Sequence, residues 1–192
     1  MKTPLLYLVC CTALLSTVSV RAEEPAKPAA AKAVDDTTMI VDLRTNPPDL
    51  FPYGSWSGKL VAAKSGLIVL GAKGAQGDGG FGQKLGDRMD LSQAVYIEVA
   101  LGVVPGNEVP KVTIALDDMD GTQYTAQINI EQIVPGMPVW LRAKRDDFRL
   151  NITQRGADSL MDWSKIQQWH LQGDWVTKKP LSVVFIALRE RR

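Results

Sequence analysis

Residues Lys111–Ile130 read KVTIALDDMDGTQYTAQINI, two alternating runs about an Asp-Gly turn. Val112, Ile114 and Leu116 share one side of the first run. Tyr124, Ala126, Ile128 and Ile130 share one side of the second. Side chains alternate across a strand, so both apolar sets reach one side of a sheet only when even-numbered residues pair with even-numbered ones. A three-residue loop, Met119-Asp120-Gly121, meets that parity and sets Asp118 opposite Thr122. Its last position calls for left-handed backbone, and Gly121 stands there. A two-residue loop would turn one apolar set to water. The stretch therefore predicts an antiparallel hairpin.

The same turn carries a catalytic signature. Asp118-Met119-Asp120-Gly121-Thr122 matches the D-x-D-G-T of haloacid-dehalogenase-like phosphatases. There the first Asp attacks phosphorus, the second serves as acid and base, and Mg²⁺ neutralises charge. That chemistry needs an α/β fold with further Ser, Thr, Lys and carboxylate groups, whereas an alternating strand follows here. A calcium loop of the EF-hand kind would need a distant Glu and flanking helices, which are absent. A plain hairpin turn is the expectation. A phosphatase using Asp118 and Asp120 stands as an alternative.

Outward from the hairpin the chain is a run of short apolar segments. They are Met39–Leu43, Trp56–Ala62, Leu67–Leu70, an edge-like Phe81–Leu85, Ala94–Val103, Val139–Ala143, Ile166–Leu171 and Leu181–Leu188. In Ala94–Val103, Val95, Ile97, Val99, Leu101 and Val103 are expected to face in. Asn46-Pro47-Pro48-Asp49, Lys64-Ser65-Gly66, Pro105-Gly106-Asn107 and Pro135-Gly136 punctuate the runs. Only Asp158–Lys165, DSLMDWSK, suggests a helical turn, capped by Asp158 or Ser159. Many short strands separated by turn residues predict a β-sandwich.

The order of motifs resembles a known family. GGFGQKLGDRMDLSQAVYIEVAL, VTIALDDMDGTQYTAQINI, PGMPVWLRAKRDDF, DWSKIQQWHLQGD and PLSVVFIAL follow one another as in the galactose-binding-like jelly roll of many secreted carbohydrate-binding modules. The resemblance covers roughly Met39–Leu188. It implies an all-β jelly-roll β-sandwich that binds carbohydrate and does no catalysis. In those modules the last strand often carries an Asp-Asn pair that helps hold a structural calcium. Here the matching residues are Phe185-Ile186-Ala187, so no cofactor is expected and the metal content is left open.

Organisation follows from composition. The first 22 residues, MKTPLLYLVCCTALLSTVSVRA, read as a signal peptide ending in Val20-Arg21-Ala22. A permanent N-terminal membrane anchor is the rival reading, against an apolar run diluted by Thr12, Ser16, Thr17 and Ser19. Both cysteines, Cys10 and Cys11, lie in this segment, and Leu8-Val9 before them fits a lipoprotein signal poorly. Cleavage leaves no thiol, disulfide or cysteine metal site. Residues 23–36 form an Ala/Pro/Lys-rich linker, and 37–192 the folded domain. The whole chain has net charge +1; without Lys2 and Arg21, 20 basic residues face 21 acidic ones, net −1. A near-neutral protein has no long-range field for nucleic acid. The expected destination is secreted or periplasmic and cell envelope, with no membrane insertion after signal removal.

Three other features bear on function. Gly77-Asp78-Gly79-Gly80-Phe81-Gly82 matches G-x-G-x-x-G, but no amphipathic helix follows to receive a pyrophosphate. A mobile loop or a close approach of backbones is expected instead. His170 is the single histidine, too few for a zinc site and without evident triad partners. Trp163, Trp169 and Trp175 with Gln172 and Asp174 make the densest aromatic and polar cluster. Flat rings suit the C–H face of a sugar, while amides and carboxylates suit its hydroxyls. Strand parity places Trp169, Leu171, Gly173 and Trp175 on one face and His170, Gln172 and Asp174 on the other. Trp163 and Trp169 are expected in the core. Trp175, Asp174, Gln172 and His170 are the candidate ligand residues. Phe51, Tyr53 and Trp56 form a second, loop-borne aromatic group, and Asn151-Ile152-Thr153 fits an N-glycosylation sequon. The expected partner is carbohydrate or another envelope ligand. A structural or protein-interaction role in the cell envelope is the alternative.

Overall fold

Two antiparallel sheets packed face to face make up the computed structural model, which describes residues 36–45, 49–71 and 75–192. The expected signal peptide and almost all of the linker lie outside those residues. The strands are β1 (Thr37–Asp42), β2 (Phe51–Gly54), β3 (Leu60–Ala63), β4 (Gly66–Val69), β5 (Gly79–Met89) and β6 (Tyr96–Val103). They continue with β7 (Lys111–Asp118), β8 (Thr122–Asn129), β9 (Val139–Lys144), β10 (Arg149–Thr153), β11 (Ile166–Gln172) and β12 (Val183–Arg191). One sheet runs β3-β4-β12-β6-β9, with β1 also paired to β12; the other runs β10-β8-β7-β11-β5-β2. Among the described residues no helix is long and apolar enough to cross a membrane.

The hairpin forms as its parity requires. Val112 pairs with Ile128, Ile114 with Ala126 and Leu116 with Tyr124. Gly121 has φ +92°, and its N–H donates to the Asp118 carbonyl at 3.3 Å. Val112, Ile114 and Leu116 are buried against the opposite sheet. The centre of the core is aromatic: Phe81 packs edge-on to Trp169 and Phe185 at centroid separations of 5.9 and 5.4 Å, and Trp56 tilts against Phe81 at 6.1 Å. Trp163 meets Phe148 edge-on at 5.5 Å.

Several local expectations are corrected. Phe51 and Tyr53 stand on strand β2, not on a loop, and Trp56 is fully buried. Pro52 is tolerated because β2 is the outermost strand of its sheet, where a missing N–H breaks no ladder bond. The Phe81–Leu85 strand is longer, Gly79–Met89, and is flanked on both sides by β11 and β2. Val95 precedes β6 and is exposed, while Ile97, Val99, Leu101 and Val103 are buried. Residues Asp158–Lys165 form no helix: Ser159 has φ +66°. A 3-10 turn stands at Arg145–Asp147.

The D-x-D-G-T signature sits in an antiparallel sheet, so the phosphatase fold is absent. Both Asp118 oxygens are occupied. Oδ1 accepts the N–H groups of Asp120 and Thr122, and Oδ2 accepts that of Asp162 at 2.9 Å. Asp120 accepts the N–H of Thr122 through Oδ1 and that of Asp158 through Oδ2. The two carboxylates thus pin the segment after β10 to the hairpin turn. Burial pushes the Asp118 carboxyl above its ordinary value. The Asp158 N–H, first among several donors, holds that of Asp120 down at about 2.

Candidate functional site

The outer face of the second sheet carries an open groove of about 630 Å³. The parity that buries Val112, Ile114 and Leu116 turns Thr113 and Asp117 outward on β7. It does the same for Gln123, Thr125 and Gln127 on β8 and for His170 and Gln172 on β11. Asn151 and Ile152 of β10 close one side of the groove, and Phe51 and Tyr53 of β2 close the other. Asp174, Trp175 and Val176 rise at the end of β11. No lysine or arginine lines it.

A continuous chain of hydrogen bonds crosses the floor from β2 to β10. Tyr53 Oη lies 3.1 Å from His170 Nδ1, and His170 Nε2 lies 3.2 Å from Asp117 Oδ2. Asp117 also accepts from Gln168 Nε2 at 3.0 Å and from Gln123 Nε2 at 2.7 Å. Asn151 Nδ2 then donates to Gln123 Oε1 at 2.7 Å. His170 Nε2 also meets the Gln168 amide nitrogen at 2.5 Å, so the imidazole is shared among Tyr53, Asp117 and Gln168. Burial raises the Tyr53 phenol well above its ordinary value, with only a smaller lowering by Gln172. Burial therefore favours the neutral phenol.

Glycine makes room for this arrangement. A Cβ on Gly80 would come within 2.5 Å of Tyr53 Oη. One on Gly82 would come within 2.7 Å of His170 Nδ1 and 2.8 Å of Phe51 Cζ. The glycine-rich stretch is thus a bare strand on which rings lie. At its start, a Cβ on Gly173 would be 2.2 Å from the Gly77 carbonyl oxygen, so the two backbones there do approach closely.

The four candidate ligand residues line this one groove. Their placement differs in one respect from strand parity. Trp169 and Leu171 are core, but β11 ends at Gln172, and Trp175 does not continue their face. After Gly173, Asp174 Oδ1 accepts the Val176 N–H, and the Asp174 carbonyl accepts that of Thr177. This turn swings Trp175 over the outer face. Its ring stacks on Tyr53 at 6.3 Å and 10° between planes, and its Nε1 donates to Gln172 Oε1 at 3.0 Å. Trp175 remains 51% exposed. His170 and Gln172 are nearly buried and serve as floor. Sequence reasoning passed over Asp117, Gln123, Thr125 and Gln127, and treated Asn151 only as a sequon. Their signal was the polar parity of the hairpin whose apolar parity fixed the fold. The last strand carries no carboxylate at Phe185–Ala187, and no cluster of three metal-ligating side chains forms among the described residues.

No family model and no curated protein matches the sequence. Solved structures do match in shape. A family 11 carbohydrate-binding module from Clostridium thermocellum in complex with a β-1,3-1,4-mixed-linked tetrasaccharide superposes with a TM-score of 0.56 at 18% identity, over 80% of this chain and 94% of that one. The family 11 module of a cellulosomal cellulase from the same organism gives 0.54 at 20% identity, over 80% and 93%. The fold is that of the family 11 carbohydrate-binding modules. An agarase matches with a TM-score of 0.56 at 12% identity, over 81% of this chain but only 24% of the enzyme. The jelly-roll sandwich expected from the order of motifs is therefore present, at identities that speak to fold alone.

Proposed function

We propose that the groove binds a hydroxyl-rich, uncharged polysaccharide, which makes the domain an exported, non-catalytic carbohydrate-binding module. The observation that carries this reading is the half-exposed Trp175 ring, braced on Tyr53, beside a row of amides on an open floor. A ring face takes the C–H side of a sugar, and Gln123, Gln127, Asn151 and Asp174 offer partners for hydroxyls. The groove's lack of cations fits a neutral chain better than a sulfated or uronate-rich one. Shape similarity to modules of which one was solved with a tetrasaccharide supports the same reading. Glycoside hydrolysis calls for two free carboxyl groups about the bond. Asp174 is the one carboxylate that lines this groove, and its Oδ1 accepts the Val176 N–H, which favours binding over chemistry. Export rests on the N-terminal sequence, with the secreted or envelope destination that it implies.

Affinity electrophoresis of residues 37–192 through gels containing neutral polysaccharides tests the function. Retardation by at least one glycan, lost in Trp175→Ala, is expected. Unretarded migration of the wild type across a broad panel would sink the proposal and leave the envelope-interaction role, for which Val61 and Trp140, exposed on the other sheet, are the starting surface.

A further inference from the structure

A second pocket, of about 320 Å³, lies beside the groove and is lined by Lys84, Leu85, Asp117, Gln154, Gln167 and Gln168. Its size falls at the lower end of the ~300–1,000 Å³ typical of small-ligand sites, room for one sugar-sized group. Asp117 lines the pocket and ties it to the groove: Gln123 of the groove donates to one of its oxygens and Gln168 of the pocket to the other. Gln168 lies two residues from His170 along β11, about 7 Å at the usual strand rise of ~3.3 Å. The two sites are thus one substituent apart.

The pocket differs chemically from the groove. No aromatic ring lines it, so nothing here stacks on a pyranose. Its open groups are all hydrogen-bonding. Gln167 Nε2 donates to the Asp118 carbonyl and Gln168 Nε2 to Asp117, which leaves both amide oxygens as acceptors. The Lys84 ammonium and the Gln154 side-chain amide have no hydrogen-bonding partner among the described residues. Donors and acceptors without a stacking face suit a group held by its hydroxyls alone. An anionic group would meet Lys84 on one wall but the Asp117 carboxylate on the other; a neutral one meets no such conflict.

From this we infer that the pocket is a second subsite that takes a neutral, hydroxyl-bearing side branch of a polysaccharide whose backbone lies in the groove. The inference rests on the groove reading above and adds that the ligand is a branched glycan. Lys84 and Gln154 supply selectivity for the branch; Trp175 and the groove floor supply affinity for the backbone.

Calorimetric titration with matched oligosaccharide pairs separates these roles. Each pair shares a backbone, as in mannan and galactomannan fragments or cello-oligosaccharides and xyloglucan fragments. The wild type should prefer the branched member of at least one pair by about tenfold. Lys84→Met and Gln154→Leu should bring that preference below about threefold and leave affinity for the plain backbone unchanged. Trp175→Ala should weaken binding of both members. Equal affinity for both members of every pair would overturn the inference while the groove reading stands. So would a preference that survives both pocket variants, or one shown only for uronate-bearing or sulfated branches. If no glycan of any kind bound, the groove reading itself would fall, and the branch subsite with it.

Discussion

The two sides of the β10-β8-β7-β11-β5-β2 sheet are built from the same strands and obey opposite rules. Its inner side is carbon: Ile114, Leu116, Trp169, Leu171 and Phe81 are all buried against the facing sheet. Its outer side is amide, hydroxyl and imidazole, joined in the chain Tyr53–His170–Asp117–Gln123–Asn151. The inner side needs only volume and the right parity. The outer side needs particular donors opposite particular acceptors, because a half-satisfied polar network is costlier than none. Stability is therefore concentrated on one side and, on the function proposed above, recognition on the other, and adjacent residues of a strand should behave differently when changed.

Trp169 and Trp175 offer the widest contrast. Trp169→Ala empties a fully buried site and should cost about 3–5 kcal/mol in chemical denaturation. A loss under about 1 kcal/mol would mean that the inner side is not the load of the fold. Gly80→Ala comes next. Its new Cβ meets the Tyr53 ring, so the ring must move, at a cost of order 1–3 kcal/mol. Unlike Trp169→Ala, it should also disturb the outer network, seen as a change in the tryptophan spectrum as Tyr53 shifts under Trp175. Gly121→Val forces a β-branched residue to φ +92°, with a strain cost of order 1–3 kcal/mol. It should leave affinity for an unbranched backbone intact in whatever fraction stays folded, since Gly121 does not line the groove, while its Cβ would displace the Gln154 side chain and so weaken any preference for a branch.

Acid should show a smaller effect, from the hairpin end of the sheet. Asp120 and Asp162 are held down at about 2, below the ordinary 3.8, by the Asp158 N–H and by Lys165 respectively. A lowered folded pKa stabilises above the unfolded value, and that contribution is lost as pH falls through 4 toward 2. Asp118, raised by burial, works in the opposite direction. Denaturation midpoints measured at pH 6 and pH 2.5 should therefore converge in Asp120→Asn relative to the wild type. An unchanged gap would show that the Asp158 contact contributes nothing in solution. The smallest effect on stability belongs to Trp175→Ala. It removes a half-exposed ring and one stacking contact and should shift unfolding by no more than about 1 kcal/mol. If it unfolds the domain, the division between the two sides is wrong.

What the sequence disclosed follows the same division. The inner side was legible because burial imposes period two: Val112, Ile114 and Leu116 against Tyr124, Ala126 and Ile128 permit one register. The outer side was legible only where an aromatic residue drew notice. Gln123 and Gln127 are unremarkable as letters and acquire meaning only once β10 and β7 lie beside them. β10 itself, Arg149–Thr153, was missed because it is mostly exposed and has no apolar stripe. β2 was missed because Pro52 argues against a strand unless the strand is known to be outermost. Trp175 was legible as a candidate ligand ring, but parity alone sets it on the face of Trp169; the Asp174 turn that carries it across the sheet needed the backbone to be seen.

The glycines of β5 make one region of this wall unusually thin. Gly79 turns inward, where a Cβ would strike the Trp56 ring, and Gly80 turns outward, where it would strike Tyr53. Between the core tryptophan and the ring that braces the groove there is a single thickness of main chain. A side chain at either position would add a layer able to absorb small changes. Neither glycine supplies one, so a change in packing around Trp56 and a change in the groove at Tyr53 are coupled. A lineage altering its ligand at this end of the sheet would have to re-solve its interior at the same time.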